Sequence, residues 1–270
     1  MSENPRMNSF IQKYKLPLTA SLIAIAITAT MDFTGYINFS AFPLILISLS
    51  FWALGRFSPK EIGLSWGSLF HYRLALFYPL IVIGAAVLLS YFLQGFQLAD
   101  LDIQKEINLL LIQLAVGPLM VLLTEEGFFR GILWAAFRKA GMSSTHCLFV
   151  TSLLFTLWHV SAVSAESSYG LPFAQIPVYL INASLLGLIW GLLRMMSASV
   201  IVAAVSHAIW NTFVYTLFAY GEKTGLLGIE NTAIWGPEVG ILGIFLNGSF
   251  FLWLWRKTKV YRNDLSNAHA

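Results

Sequence analysis

Charge is scarce in this chain of 270 residues. Only 11% of them are charged, 57% are hydrophobic, and the mean hydropathy is +0.72. Soluble domains carry about 25% charged residues, so the deficit excludes an ordinary soluble protein and points to an integral membrane one. Cysteine is nearly absent too. The single Cys147 excludes an internal disulfide and reads as a small core hydrophobe. Internal repeats, low-complexity segments and long polar connections are missing, which leaves no room for a separate soluble domain. No cleavable signal peptide is evident, because Met1–Leu16 is polar and basic and the first apolar run lacks a small-x-small site. A pI near 9.0 is also a mark of nucleic-acid-binding proteins. The basic residues, however, lie between apolar runs and not on one amphipathic face, so no nucleic-acid partner is expected.

What is present is a series of apolar runs. A bilayer-crossing helix needs roughly 20 mostly apolar residues, and runs of that order fall near 17–33, 36–54, 74–94, 107–129, 146–164, 173–193, 197–220 and 238–255. The expected fold is all-α, a polytopic transmembrane bundle of about eight spans. Residues 1–16 and 256–270 would be cytoplasmic tails around a membrane domain at 17–255. With the N-terminus in the cytoplasm, 13 of the 16 basic residues fall in cytoplasmic segments, among them Lys13, Arg56, Arg138, Lys139, Arg194 and Lys257. Acidic residues collect on the other side: Asp32, Asp100, Asp102, Glu106, Glu166, Glu222 and Glu230, with Lys105 and Lys223 among them. That is the positive-inside asymmetry. Trp52, Trp66, Tyr91, Trp253 and Trp255 sit at run ends as interface anchors.

Three motifs interrupt the apolar runs: Glu125-Glu126-x-x-x-Arg130, Phe155-x-x-x-His159 and His207-x-x-x-Asn211. Ionisable groups inside a bilayer are costly and normally mark a cavity with work to do. Glu126 and Arg130 are spaced to pair one helical turn apart, which offsets the cost of burying both. Glu125 lies about 100° round the helix and has no such partner. A buried carboxylate of that kind is what a general base is made from. Asn211 brings amide donors suited to an oxyanion. The expected cavity is formed by spans 4, 5 and 7, in the central-to-outer part of the bilayer. This depth holds if the fourth helix restarts after Gly117-Pro118, which puts Glu125 roughly 10 Å in; an unbroken helix from residue 107 would match poorly. A His-Glu-x-x-His zinc helix and a Gly-x-Gly-Asp segment are absent, and serine-nucleophile chemistry of the elbow type is not expected.

In this order and on separate spans, the motifs resemble the CPBP family (CAAX protease and bacteriocin-processing enzymes, or ABI family), over a core of about 118–215. The resemblance implies an intramembrane endopeptidase. Glu125 would activate a water with help from His159, His207 and Asn211 would stabilise the oxyanion, and Glu126, Arg130 and Phe155 would order the site. It leaves the metal open. Glu125, His159 and His207 would make a zinc set with water as the fourth ligand, while a metal-free mechanism uses the same residues. No tightly bound cofactor is expected, since Asn211 suits an oxyanion better than a metal. The implied partner is a membrane-associated peptide or protein, such as a prenylated tail or a leader peptide, within a prokaryotic plasma membrane. Two other readings compete. One is a scaffold or regulator of the same fold; the other is a proton-coupled transporter, which would normally show repeat symmetry.

Overall fold

The computed structural model describes residues 5–93, 102–165, 170–218, 225–229 and 231–268, with side chains described from 12 to 258. Asp100, Glu166, Glu222, Lys223 and Glu230, counted above as outer-loop charges, lie outside these residues. The elements are α1 (Pro5–Phe33), α2 (Pro43–Gly55), α3 (Pro59–Ile62), α4 (Leu69–Leu93), α5 (Ile103–Leu123), a π-helical segment (Gly127–Leu133), α6 (Trp134–Lys139), α7 (Ser144–Ser164), α8 (Ile176–Ser197), α9 (Val200–Leu217), α10 (Thr232–Trp235) and α11 (Ile241–Ala268). No strand occurs among the described residues.

Helix starts follow local chemistry. Asp102, Ser143 and Ser199 each accept the backbone N–H three residues on, capping α5, α7 and α9. Ser58 and Glu61 form a capping box around Pro59 at the start of α3. Seven helices among the described residues are long and apolar enough to cross a membrane, so the protein is an integral membrane one. The eighth expected run, 238–255, is not among them. Its first residues, Glu238 to Gly240, form a turn, so the apolar part of α11 starts only at Ile241 and meets Arg256 and Lys257 too soon. Six of the seven spans keep large apolar side chains outward, such as Leu22, Leu46, Phe92 and Leu153, while α9 is enclosed by its neighbours and exposes none.

Helices α8 and α9 sit at the centre. α7 and α11 pack on α8, α4 and α5 pack on α9, and α1 flanks α7. Small residues permit close approach: a Cβ on Gly187 of α8 would come within 3.3 Å of Ser152 Cβ on α7. The basic helix ends gather on one side of the bundle. Lys139 donates to Gly55 O at 2.9 Å. Arg194, expected as a solvated loop charge, is buried and donates to Arg130 O (3.1 Å) and Glu61 O (3.2 Å). Asp32 departs from expectation in the same way. It ends α1 as a buried residue and accepts Ser161 Oγ at 2.6 Å.

The fourth span does not restart after Gly117-Pro118. Helix α5 runs through Pro118 and breaks at Thr124, with φ −101° and ψ −99°. Proline is tolerated in a membrane helix because neighbours satisfy the freed carbonyl. From Ile103 to Lys139 the chain has 37 residues, about 55 Å if it were one straight helix and nearly twice the roughly 30 Å hydrocarbon core. The break and the π turn allow this segment to change course. A Cβ on Gly127, the first π residue, would overlap Leu122 O. Gly127→Ala is therefore expected to cost about 1–3 kcal/mol, measured as a lower unfolding temperature in detergent. Gly84→Ala is the control, since its Cβ would meet nothing within 4 Å; equal behaviour of the two would remove the constraint assigned to Gly127.

Candidate active site

The three motifs meet in one cavity of about 190 Å³. Glu125 enters it from the residues just before the π segment, a type of helix irregularity that recurs at functional sites. Phe155 and His159 come from α7, and His207 and Asn211 from α9. The expected three spans are thus brought together, and α8 adds a fourth wall with Tyr179, Ala183, Leu186 and Trp190. Ile37, Ser40 and Ala41 close one side from the α1–α2 connection. These, with Tyr215 at the end of α9, lie at the helix ends opposite the basic cluster, which sets the level of the cavity whatever the path of α5.

The two glutamates occupy different surroundings. Glu126 is fully buried, and its Oε1 lies 3.1 Å from Arg130 Nη1 and 3.0 Å from His207 Nδ1. Arg130 is equally buried, donates through Nη2 to Gly187 O at 2.9 Å, and lies over the Phe155 ring with Cζ 4.4 Å from its centroid. One ion pair therefore ties the π segment to α7, α8 and α9. Glu125 instead faces the cavity with 16% of its side chain exposed, and its Oε2 lies 3.9 Å from both His159 Nε2 and His207 Nε2.

Partners fix the imidazole tautomers. His159 Nδ1 faces Phe155 O at 2.8 Å, and a carbonyl can only accept, so Nδ1 carries a proton. His207 Nδ1 faces a carboxylate already paired with an arginine, so it too donates. Both Nε2 atoms are thereby turned towards Glu125 as lone pairs in the neutral rings. Trp190 stacks on His207 with centroids 3.6 Å apart and planes 12° apart, which holds the ring in place.

Residues 107–213 match the family model described as Type II CAAX prenyl endopeptidase Rce1-like. This segment is an Rce1-like domain. All seven motif residues fall inside it, and membership of the family implies a peptidase acting on a protein substrate. No curated protein and no solved structure gives a significant match to the chain. Within the Rce1-like domain the half-buried Glu125 and His159 and the buried Glu126 and His207 form a cluster consistent with a catalytic site.

Sequence reading missed Trp190 and Tyr179, which stand in no polar motif, and Glu238, which lies beyond the domain yet lines the same cavity. It also passed over a Gly-x-Ser-x-Gly segment at Gly63–Gly67. Ser65 there donates to Ala198 O at 3.1 Å in the connection between α3 and α4, with no strand before it, so it is no nucleophile elbow. The donor set of Glu125, His159 and His207 suits zinc, but its spacing does not. Ligands about 2.0–2.1 Å from one tetrahedral ion lie roughly 3.4 Å apart, and Glu125 Oε2 is 3.9 Å from each nitrogen. No group of three or more His, Cys, Asp or Glu among the described residues is spaced to hold a metal ion. As placed, these residues do not fit zinc.

Proposed function

We propose that the protein is an intramembrane endopeptidase in which Glu125 and the histidines activate a water without a metal. The observation that carries this reading is the convergence of one cavity-facing carboxylate and two imidazole Nε2 atoms, each held by a partner on its far side. A water between Glu125 Oε2 and His159 Nε2 would attack the scissile carbonyl carbon and pass its proton to Glu125. The oxyanion would be met by the Asn211 amide, while the neutral His207 ring, held by Glu126 and Trp190, would keep its Nε2 lone pair towards Glu125 and the water. Collapse breaks the C–N bond, and Glu125 returns the proton to the leaving amine.

The proposed substrates are membrane-associated peptides or protein tails, prenylated proteins and leader peptides among them. The gathered basic helix ends support a cytoplasmic N-terminus, and so an outer-half position for the cavity; the proposed membrane is a prokaryotic plasma membrane. The test is cleavage of a quenched fluorescent peptide library by detergent-purified protein. Cleavage is expected to survive a strong chelator and to be lost in His159→Ala, which removes the water's second acceptor while the bundle remains folded. Loss on chelation, restored by stoichiometric zinc, would overturn the metal-free mechanism.

A further inference from the structure

The cavity holds a second carboxylate that the proposed chemistry does not use. Glu238 lies in the turn between α10 and α11 and is only 6% exposed. Its Oε2 accepts from Trp210 Nε1 at 3.2 Å and its Oε1 from Tyr215 OH at 3.4 Å. Both donors are neutral, and no ion pair to Glu238 forms among the described residues, whereas Glu126 has both an arginine and a histidine. A buried carboxylate without a counter-charge is expensive, yet two hydrogen bonds leave it free lone pairs. Those face a cavity whose described lining includes no Lys or Arg. Arg130, the nearest buried cation to the site, is engaged behind Phe155.

The carboxylate is also held rigidly. Trp210 stacks on Tyr78 with planes 3° apart, and Tyr78 OH donates to Asn247 Oδ1 at 2.8 Å. Asn247 Nδ2 donates to Pro237 O at 3.0 Å, just before Glu238, and Asn182 Nδ2 donates to Gly240 O at 3.1 Å, just after it. The turn is thus pinned from both sides by buried amides, the kind of support that preorganised binding groups have.

We propose that Glu238 forms a subsite for a cationic Lys or Arg side chain of the peptide substrate, beside the scissile bond. The site would complete the missing ion pair only when substrate is present. The same cavity is unfavourable to a substrate that brings a free carboxylate near Glu238, since both unpaired charges there are negative. This inference rests on the peptidase reading, and its test separates the two.

The experiment uses full-length Glu125→Gln protein in detergent and fluorescent peptides that differ only in Lys, norleucine or Glu at one position, moved residue by residue. The Lys peptide is expected to bind about tenfold tighter or more than the norleucine peptide at one position, as a charge-assisted contact allows, and the Glu peptide more weakly still. Adding Glu238→Gln should bring the Lys-to-norleucine ratio close to one. Equal affinities in the Glu125→Gln protein, or a ratio untouched by Glu238→Gln, would overturn the subsite. A Lys preference in binding without any cleavage by the wild type would instead overturn the peptidase reading and leave the subsite standing.

Discussion

Glu125→Gln is expected to lower kcat by about 10²–10⁴-fold, the range for removing a general base, while the protein unfolds at the wild-type temperature. Turnover of a cleaved library peptide, read beside thermal unfolding in detergent, checks both halves. The expectation follows from how loosely Glu125 is tied in. Its nearest ionisable neighbours are two imidazole nitrogens at 3.9 Å, beyond hydrogen-bond reach, and its side chain opens to the cavity. An amide of the same shape therefore disturbs little packing. It cannot take up the water's proton, so kcat and kcat/KM should fall together. Activity within tenfold of wild type would remove Glu125 from the role of base.

Glu126→Ala has the opposite signature. It leaves Arg130 buried without its carboxylate and takes the acceptor from His207 Nδ1. Breaking a buried pair by deleting one partner costs about 3–5 kcal/mol, because the stranded charge has no water to turn to. A large fall in unfolding temperature, or failure to accumulate folded protein, is expected. Arg130→Met should lose a similar amount. The double variant Glu126→Ala/Arg130→Met should be less unstable than the two losses added together, since no charge is left uncompensated. If Glu126→Ala melts like the wild type and only turnover disappears, the division between the two glutamates is wrong.

Much of this arrangement is legible in the chain. Glu-Glu-x-x-x-Arg fixes the i,i+4 pair and leaves Glu125 pointing elsewhere, and the two histidine motifs supply facing groups on later spans. The failures have a common cause. Asp32 and Arg194 stand at run ends, where charge ordinarily serves topology, and their partners are Ser161 and backbone carbonyls of distant segments. Nothing local marks them as buried. The break in the fourth span was expected at Gly117-Pro118, where breaker residues stand, but it occurs at Thr124, which carries no such signal. Gly127, three residues on, leaves room for that break, since a Cβ there would overlap Leu122 O. Trp190 contributes through a face-to-face contact with His207 across two helices, and spacing along one helix cannot reveal that. Glu238 is visible in sequence only as an acid near a span end; its role depends on a turn pinned by Asn182 and Asn247.

The separation of duties between neighbouring glutamates also bears on how such a protein can change over generations. Position 126 anchors the bundle, whereas position 125 holds no other helix in place. A single codon change at 125 could silence the chemistry and leave a sound membrane protein for selection to reuse. Loss at 126 or 130 would take the fold along with the activity. Descendants that abandon hydrolysis should therefore keep the inner acid and the arginine long after the outer acid has drifted.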